Sequence, residues 1–228
     1  MPRSLLNLLT LLLVVGLPPF LVLSNIFVFL TPQYLDYEYG KPDFPKAERF
    51  DDKDRRYYAS ESIEYERGNR TLEQFKALGV YDDREVKHMV DVRVLIEKVT
   101  IFHAVDGVLL LVALVGLAAR PTTRALAARG LLTGALLTVA LFGAIGAFAA
   151  TGFNTLFTGF HRVFFEGDTW LFSYTDSLIQ FYPLRFWFDT AIALVVLTLV
   201  EAIVVGAIGW AWGRRAVGSQ QSTVNSKQ

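Results

Sequence analysis

The sequence predicts an all-α integral membrane protein. Its architecture is a four-transmembrane-helix bundle with an extracytoplasmic segment between helices 1 and 2 and an aromatic interfacial segment between helices 3 and 4. Three observations carry this. Hydrophobic residues fill 53% of the 228 positions and gather in blocks long enough to cross a hydrocarbon core of about 30 Å. Charged residues, 19% of the chain, gather between the blocks. The short basic flanks all fall on one side of a four-span arrangement.

Residues 1–30 form the first expected span. No charge interrupts Leu5 to Leu30, and at about 1.5 Å per residue this run exceeds the membrane core. Pro18 and Pro19 lie inside it and should kink the helix. A cleaved signal peptide fits less well, because the apolar run is long and no small-x-small site precedes the polar region. The second expected span covers 94–119, with Glu97 and Lys98 at its outer end. The third covers 131–158 and carries Gly130, Gly134, Gly143, Gly146 and Gly152 along or beside it, a pattern that suits close packing within the bundle. The fourth covers 186–212, where Trp210 and Trp212 stand like an interfacial anchor. Arg3, the loop 120–130 with Arg120, Arg124 and Arg129, and the tail 213–228 with Arg214 and Arg215 share one side. The positive-inside rule makes that side, and both termini, cytoplasmic. The Ser/Gln-rich end of the tail is expected to be disordered.

Two segments face the other side. The first, 31–93, is polar and mildly acidic and is expected to have little core of its own. Its start, TPQYLDYEYGKPDFP, reads as extended chain near the headgroups. A helix should follow and break at Gly68–Asn69. Thr71 should cap a short helix that Gly79 ends, and Asp82 or Asp83 should cap one that runs on into the second span. The second segment, 159–185, has too many aromatic residues for a solvated loop and belongs at the interface.

Charge and composition exclude several functions. Lys and Arg number 22 against 22 Asp and Glu, so no global field favours nucleic acid. Cysteine is absent, which removes thiolate catalysis and Cys-ligated metal. Four spans without an internal repeat give no alternating-access frame for a transporter. The polar residues in apolar surroundings then need explanation. His103 and Asp106, three apart on the second span, suit a structural contact to a neighbouring helix, and Glu201 in the fourth suits either a structural hydrogen bond or a cavity. His88 and His161 are expected at the same membrane face with aspartates near each: Asp91 beside the first, Asp168 and Asp176 after the second. From position alone three roles stand open for this pair. They could be general acid and base, interface hydrogen-bonding groups, or part of a metal site.

Two stretches narrow the choice. Glu85 to Val92, EVKHMVDV, and Phe160 to Phe172, FHRVFFEGDTWLF, are similar to the two signatures of a family of four-span bacterial membrane proteins, the lipoprotein intramolecular transacylases (Lit). The continuation Thr175 to Pro183, TDSLIQFYP, and Phe186–Trp187 resemble that family too, and the likeness covers nearly the whole chain. What the resemblance implies is an acyltransferase of the bacterial cell membrane. It would move the sn-2 acyl chain of an S-diacylglyceryl lipoprotein to the α-amine of the same N-terminal cysteine, giving the lyso form. The family's proposed catalytic histidines fall on His161 and His88. The implied general base is His161, oriented by Asp168 or Asp176. His88 would be oxyanion donor or general acid with Asp91 as orienter, and the two roles are exchangeable. Phe164, Phe165, Trp170 and Trp187 would line an acyl-chain slot. Neither cofactor nor metal is needed, membrane lipid and the lipoprotein are the expected partners, and a monomer is favoured. The competing functions are a membrane ester hydrolase or peptidase that uses the same histidines, a protein with a metal site, and a non-enzymatic membrane sensor or assembly protein.

Overall fold

A backbone that crosses lipid must satisfy its own hydrogen bonds, and an uninterrupted apolar run can do so only as a helix. The computed structural model of the chain follows that rule. It describes residues 1–225, with side chains through Arg215. The helices, in order, are α1 (Arg3–Phe29), α2 (Pro32–Tyr39), α3 (Asp52–Glu66), α4 (Leu72–Lys76), α5 (Asp83–Ala118), α6 (Arg124–Phe164), α7 (Ser177–Phe181) and α8 (Leu184–Asn225). Among the described residues four helices are long and apolar enough to cross a membrane: α1, α5, α6 and, over Leu184–Arg215, α8. Pro18 and Pro19 lie within α1, which runs through them as one helix. α8 continues past 212, and the end of the expected tail, 226–228, lies outside the described residues.

The chain forms two units. The first comprises Met1–Asn25, Ile101–Gly146 and the residues from Leu194 onward. Leu9 and Leu13 of α1 pack with Leu110, Ala113 and Leu117 of α5 and Ala127 of α6. Leu17 and Leu21 pack with Ala135 of α6 and Ala202 of α8. Glycines permit these approaches. A methyl group on Gly134 would lie 2.7 Å from the Leu13 carbonyl oxygen, and one on Gly209 would lie 2.9 Å from the Leu132 nitrogen. The outward faces carry Leu8, Leu11, Val108, Val112, Val115, Val200 and Ile203, an apolar surface suited to lipid.

Polar groups in this unit are spent on helix-to-helix contacts. The Asn25 amide donates to the Glu201 carboxylate at 2.9 Å and to Thr198 Oγ1 at 3.3 Å, joining α1 to α8. The Ser24 hydroxyl donates to the Phe20 carbonyl at 2.7 Å, so at 2.9 Å from His103 Nε2 it serves as acceptor for an imidazole N–H. The His103 ring also stacks on Phe20 with centroids 4.8 Å apart. Asp106 is buried against Gly16, where a methyl group would meet its Oδ1 at 2.6 Å.

The second unit comprises Ile26–Thr100 and Ala147–Ala193. Its start is helical rather than extended. Thr31 Oγ1 accepts the Tyr34 N–H at 3.2 Å, and Pro32 supplies a preset φ in the first turn, so Pro32–Tyr39 becomes α2. Asp51 caps α3, and Thr71 with Gln74 forms a reciprocal capping box on α4. The core of the first segment is shared with the second. Leu35, Ala59, Ile63, Tyr65, Phe75 and Met89 pack with Leu178, Phe181, Tyr182 and Phe186.

The glycine contacts make a direct prediction. Gly134→Ala and Gly209→Ala should each lower stability in detergent by about 1–3 kcal/mol, the usual cost of overpacking. Gly143→Ala, whose methyl group meets nothing within 4 Å, should leave the thermal midpoint unchanged. Equal midpoints for all three would contradict the packing.

Candidate active site

The site is built from the start of α5 and the end of α6. Asp82 Oδ1 accepts the Glu85 N–H at 2.8 Å, and Glu85 Oε2 accepts the Asp82 N–H at 2.9 Å, a capping pair that begins α5. Glu85 is buried, and its other oxygen accepts the Leu178 N–H of α7 at 2.8 Å. Beside it Arg84 donates to the Leu171 carbonyl at 3.0 Å and to Asp176 Oδ2 at 2.7 Å, and its guanidinium lies over the Phe172 ring. Asp176 Oδ2 also accepts the Ser173 N–H at 2.7 Å. Two adjacent side chains thus pin residues 171–178 to α5. One turn further along α5 stands His88, with the Phe172 ring centroid 5.3 Å from its own.

α6 changes course at Gly152, whose φ of −142° and ψ of 38° are not helical. The segment beyond carries Phe157, Phe160 and His161. His161 Nδ1 lies 2.7 Å from the Phe157 carbonyl oxygen. A carbonyl only accepts, so Nδ1 carries the proton and Nε2 keeps its lone pair. Aromatic rings enclose the imidazole: Phe157 at 4.2 Å, Trp170 at 5.0 Å and Phe165 at 5.4 Å between centroids.

These two constructions bring the histidines together. The ring centroids of His88 and His161 are 6.1 Å apart with their planes within 20°, and Phe165 lies 4.8 Å from His88. His88 is only 8% exposed, and its Nδ1 is buried without a hydrogen-bond partner among the described residues. Both rings lie outside the apolar runs 94–119 and 131–158. Burial holds both below the usual histidine range, and the neighbouring His161 lowers His88 further. The pair is therefore neutral near pH 7. One ring presents a bare nitrogen, and the other has an unengaged one.

The remaining expected residues separate. Phe165 and Trp170 are buried against the histidines, and Trp170 Nε1 donates to the Gly167 carbonyl at 3.1 Å across a turn whose φ of +63° suits glycine. Phe164 is half-exposed and packs on Phe160. Trp187 is partly exposed and packs near Phe157, Tyr182 and Phe186. Among the described residues no carboxylate is hydrogen-bonded to either ring. Asp176 is engaged by Arg84 and Ser173, Asp168 is exposed, Asp91 is partly buried, and the group on His161 Nδ1 is the Phe157 carbonyl. Among the described residues no three His, Asp or Glu side chains group as a metal would require. Arg84, Glu85, Phe157 and Phe172 had no expected role. The signals available were the Asp82-to-Glu85 capping spacing and the place of Glu85 and Phe172 at the ends of the two signature stretches.

Comparison with known proteins agrees with the fold. A family model described as lipoprotein intramolecular transacylase Lit matches residues 8–187. An uncharacterised protein of Aquifex aeolicus (strain VF5) is 27% identical over 206 residues, which is 87% of this chain and 92% of that protein. The membrane-integral lipoprotein intramolecular transacylase Lit of Bacillus cereus, solved in meso, has a TM-score of 0.68 at 18% identity, covering 97% of this chain and 100% of that one. A variant of it with one histidine replaced by arginine has a TM-score of 0.69 at 17% identity over 96% of this chain and 95% of that one.

The tautomer of His161 is measurable. Nitrogen-15 spectra of histidine-labelled protein near pH 7 should show His161 protonated at Nδ1 and bare at Nε2. A dominant Nε2–H tautomer would contradict the Phe157 hydrogen bond.

Proposed function

The chain belongs to the lipoprotein intramolecular transacylase family, a family of acyltransferases, and from that premise we propose how it acts. The substrate is a diacylglyceryl lipoprotein at the outer face of a bacterial cell membrane, with both termini of the enzyme cytoplasmic and the enzyme a monomer. The reaction moves the sn-2 acyl chain to the α-amine of the same N-terminal cysteine. The observation that supports this best is the pairing of His88 and His161, two neutral imidazoles from distant parts of the chain, inside a wall of aromatic rings.

The substrate holds its own nucleophile and electrophile, so proximity comes with it. The α-amine attacks the ester carbonyl while His161 Nε2 removes its proton. The tetrahedral oxyanion takes an N–H from His88. The bond from the carbonyl carbon to the glyceryl oxygen breaks, and the proton taken from the amine is returned to that oxygen through the imidazoles. An amide replaces the ester, a hydroxyl is freed, and no co-reactant is consumed. Phe165, Phe172 and Trp170 keep bulk water from the reacting carbon, which favours the bound amine over hydrolysis. Phe164 and Trp187, partly exposed, line the acyl chain. Asp176 acts through Arg84 as a positioning residue, and the exposed Asp168 and nearby Asp91 are available to the substrate's ammonium. A hydrolase would use the same base on water.

Single His161→Ala and His88→Ala variants should each lower formation of lyso-form lipoprotein by about 100-fold or more with normal membrane levels of the protein. The product is read by mass spectrometry in a host lacking other N-acylating enzymes. Wild-type product from both variants would overturn the mechanism, and loss of one acyl chain from the wild-type product would turn the assignment to hydrolysis.

A further inference from the structure

The second unit contains a cleft that the acyl transfer does not use. It has a volume of about 470 Å³, and its lining includes Tyr65, Gly68, Asn69, Arg93, Val94 and Glu97. This is within the ordinary range for small-ligand sites, about 300–1,000 Å³. At about 3.6 residues per turn, Arg93, Val94 and Glu97 lie on the side of α5 opposite His88, so this is a separate site.

Its chemistry is that of a fixed cation beside an acid. Arg93 donates through Nε to Glu97 Oε1 at 3.2 Å and through Nη1 to the Arg70 carbonyl at 2.9 Å, with its guanidinium over the Tyr65 ring at 4.9 Å. These contacts, with a side-chain hydrogen bond to Tyr65, fix the guanidinium in the cleft wall. Gly68, with φ of +85°, passes beside the guanidinium, and a methyl group on Gly68 would lie 3.7 Å from Nη2. Arg70 is committed to Glu61 by two bonds of 2.6 and 3.0 Å. Glu97 has 59% of its side chain exposed and a second oxygen to offer.

Position says what would fill the cleft. Glu97 and Lys98 are the last residues of a Lys, Arg or Glu type on α5 before an apolar run whose ionisable residues are His103 and Asp106, so they belong at headgroup depth. Val94, 41% exposed, lines the cleft just before that run begins. An ion-pair cleft next to where the apolar run of the sequence begins matches a lipid: polar group in the cleft, acyl chains in the membrane.

We propose that this cleft holds the headgroup of a zwitterionic glycerophospholipid, its phosphate on Arg93 and its ammonium on Glu97. The full-length protein, stripped of lipid in detergent, should retain one phosphatidylethanolamine in native mass spectrometry. It should bind that lipid at least about 10-fold more tightly than diacylglycerol, a step of about 1.4 kcal/mol. Arg93→Ala should remove this advantage. Val94→Trp, which fills the cleft without removing a polar contact, should remove it too, so a folding defect at Arg93 does not decide the matter. Glu97→Gln should cancel the preference for phosphatidylethanolamine over phosphatidylglycerol while both still exceed diacylglycerol. Equal binding of diacylglycerol, undiminished binding in Val94→Trp, or free phosphoethanolamine binding as tightly as the lipid would each overturn the proposal. Lipid retention is read without turnover, so the outcome is independent of the histidine mechanism.

Discussion

The candidate site depends on a buried carboxylate held by backbone N–H groups, with no cation on it among the described residues. Glu85 sits at the foot of α5 with both oxygens taken by backbone N–H groups, one from Asp82 and one from Leu178. A charge without such donors would be too costly to bury. With them it becomes a fixed joint between two segments nearly a hundred residues apart. Arg84 adds the second fixing point through Leu171 and Asp176. Because the aromatic segment is held at these points, Phe172 reaches His88. Gly152 and the Phe157 carbonyl set His161 in turn. The histidines meet because backbone and buried side chains leave them nowhere else to go, without any carboxylate steering them.

The three histidines show how a residue type divides between structure and chemistry. His103 presents Nε2 to Ser24, whose hydroxyl is already committed as a donor to Phe20, so that nitrogen is used within the first unit. His161 spends Nδ1 on a carbonyl and keeps Nε2 bare, and His88 has a buried Nδ1 with no partner. A nitrogen already engaged by its neighbours can do little for a substrate. The same logic sets Asn25–Glu201 apart from the active-site groups, since that pair answers the need of a polar side chain among apolar helices for a partner on the next one.

Much of the fold was legible because lipid imposes simple rules. The four apolar runs appear as α1, α5, α6 and α8, and the capping box at Thr71 is where its residue types place it. The segment beginning at Thr31 was misjudged. Its proline and aromatic residues suggested extended chain, yet a threonine cap followed by proline at the first helical position starts a helix equally well. The core of the second unit was also hidden, because four of the ten buried residues of its cluster, Leu178, Phe181, Tyr182 and Phe186, lie far along the chain. At the site, His88 and His161 stood out through their surrounding motifs. Phe157 did not, because its contribution is a backbone carbonyl that any residue could supply, and Arg84 acts on a partner 92 positions away.

The central claim is that an acyl chain moves within one lipoprotein molecule while the two imidazoles carry the proton and stabilise the oxyanion. The most direct test is reconstituted protein given two synthetic diacylglyceryl lipopeptides of different peptide mass, only one of which carries a deuterated sn-2 chain. The account predicts that the deuterated chain appears as an amide on its own peptide alone, with no free fatty acid released. Label on the second peptide would contradict an intramolecular transfer, and labelled free fatty acid as the main product would contradict protection of the site from water.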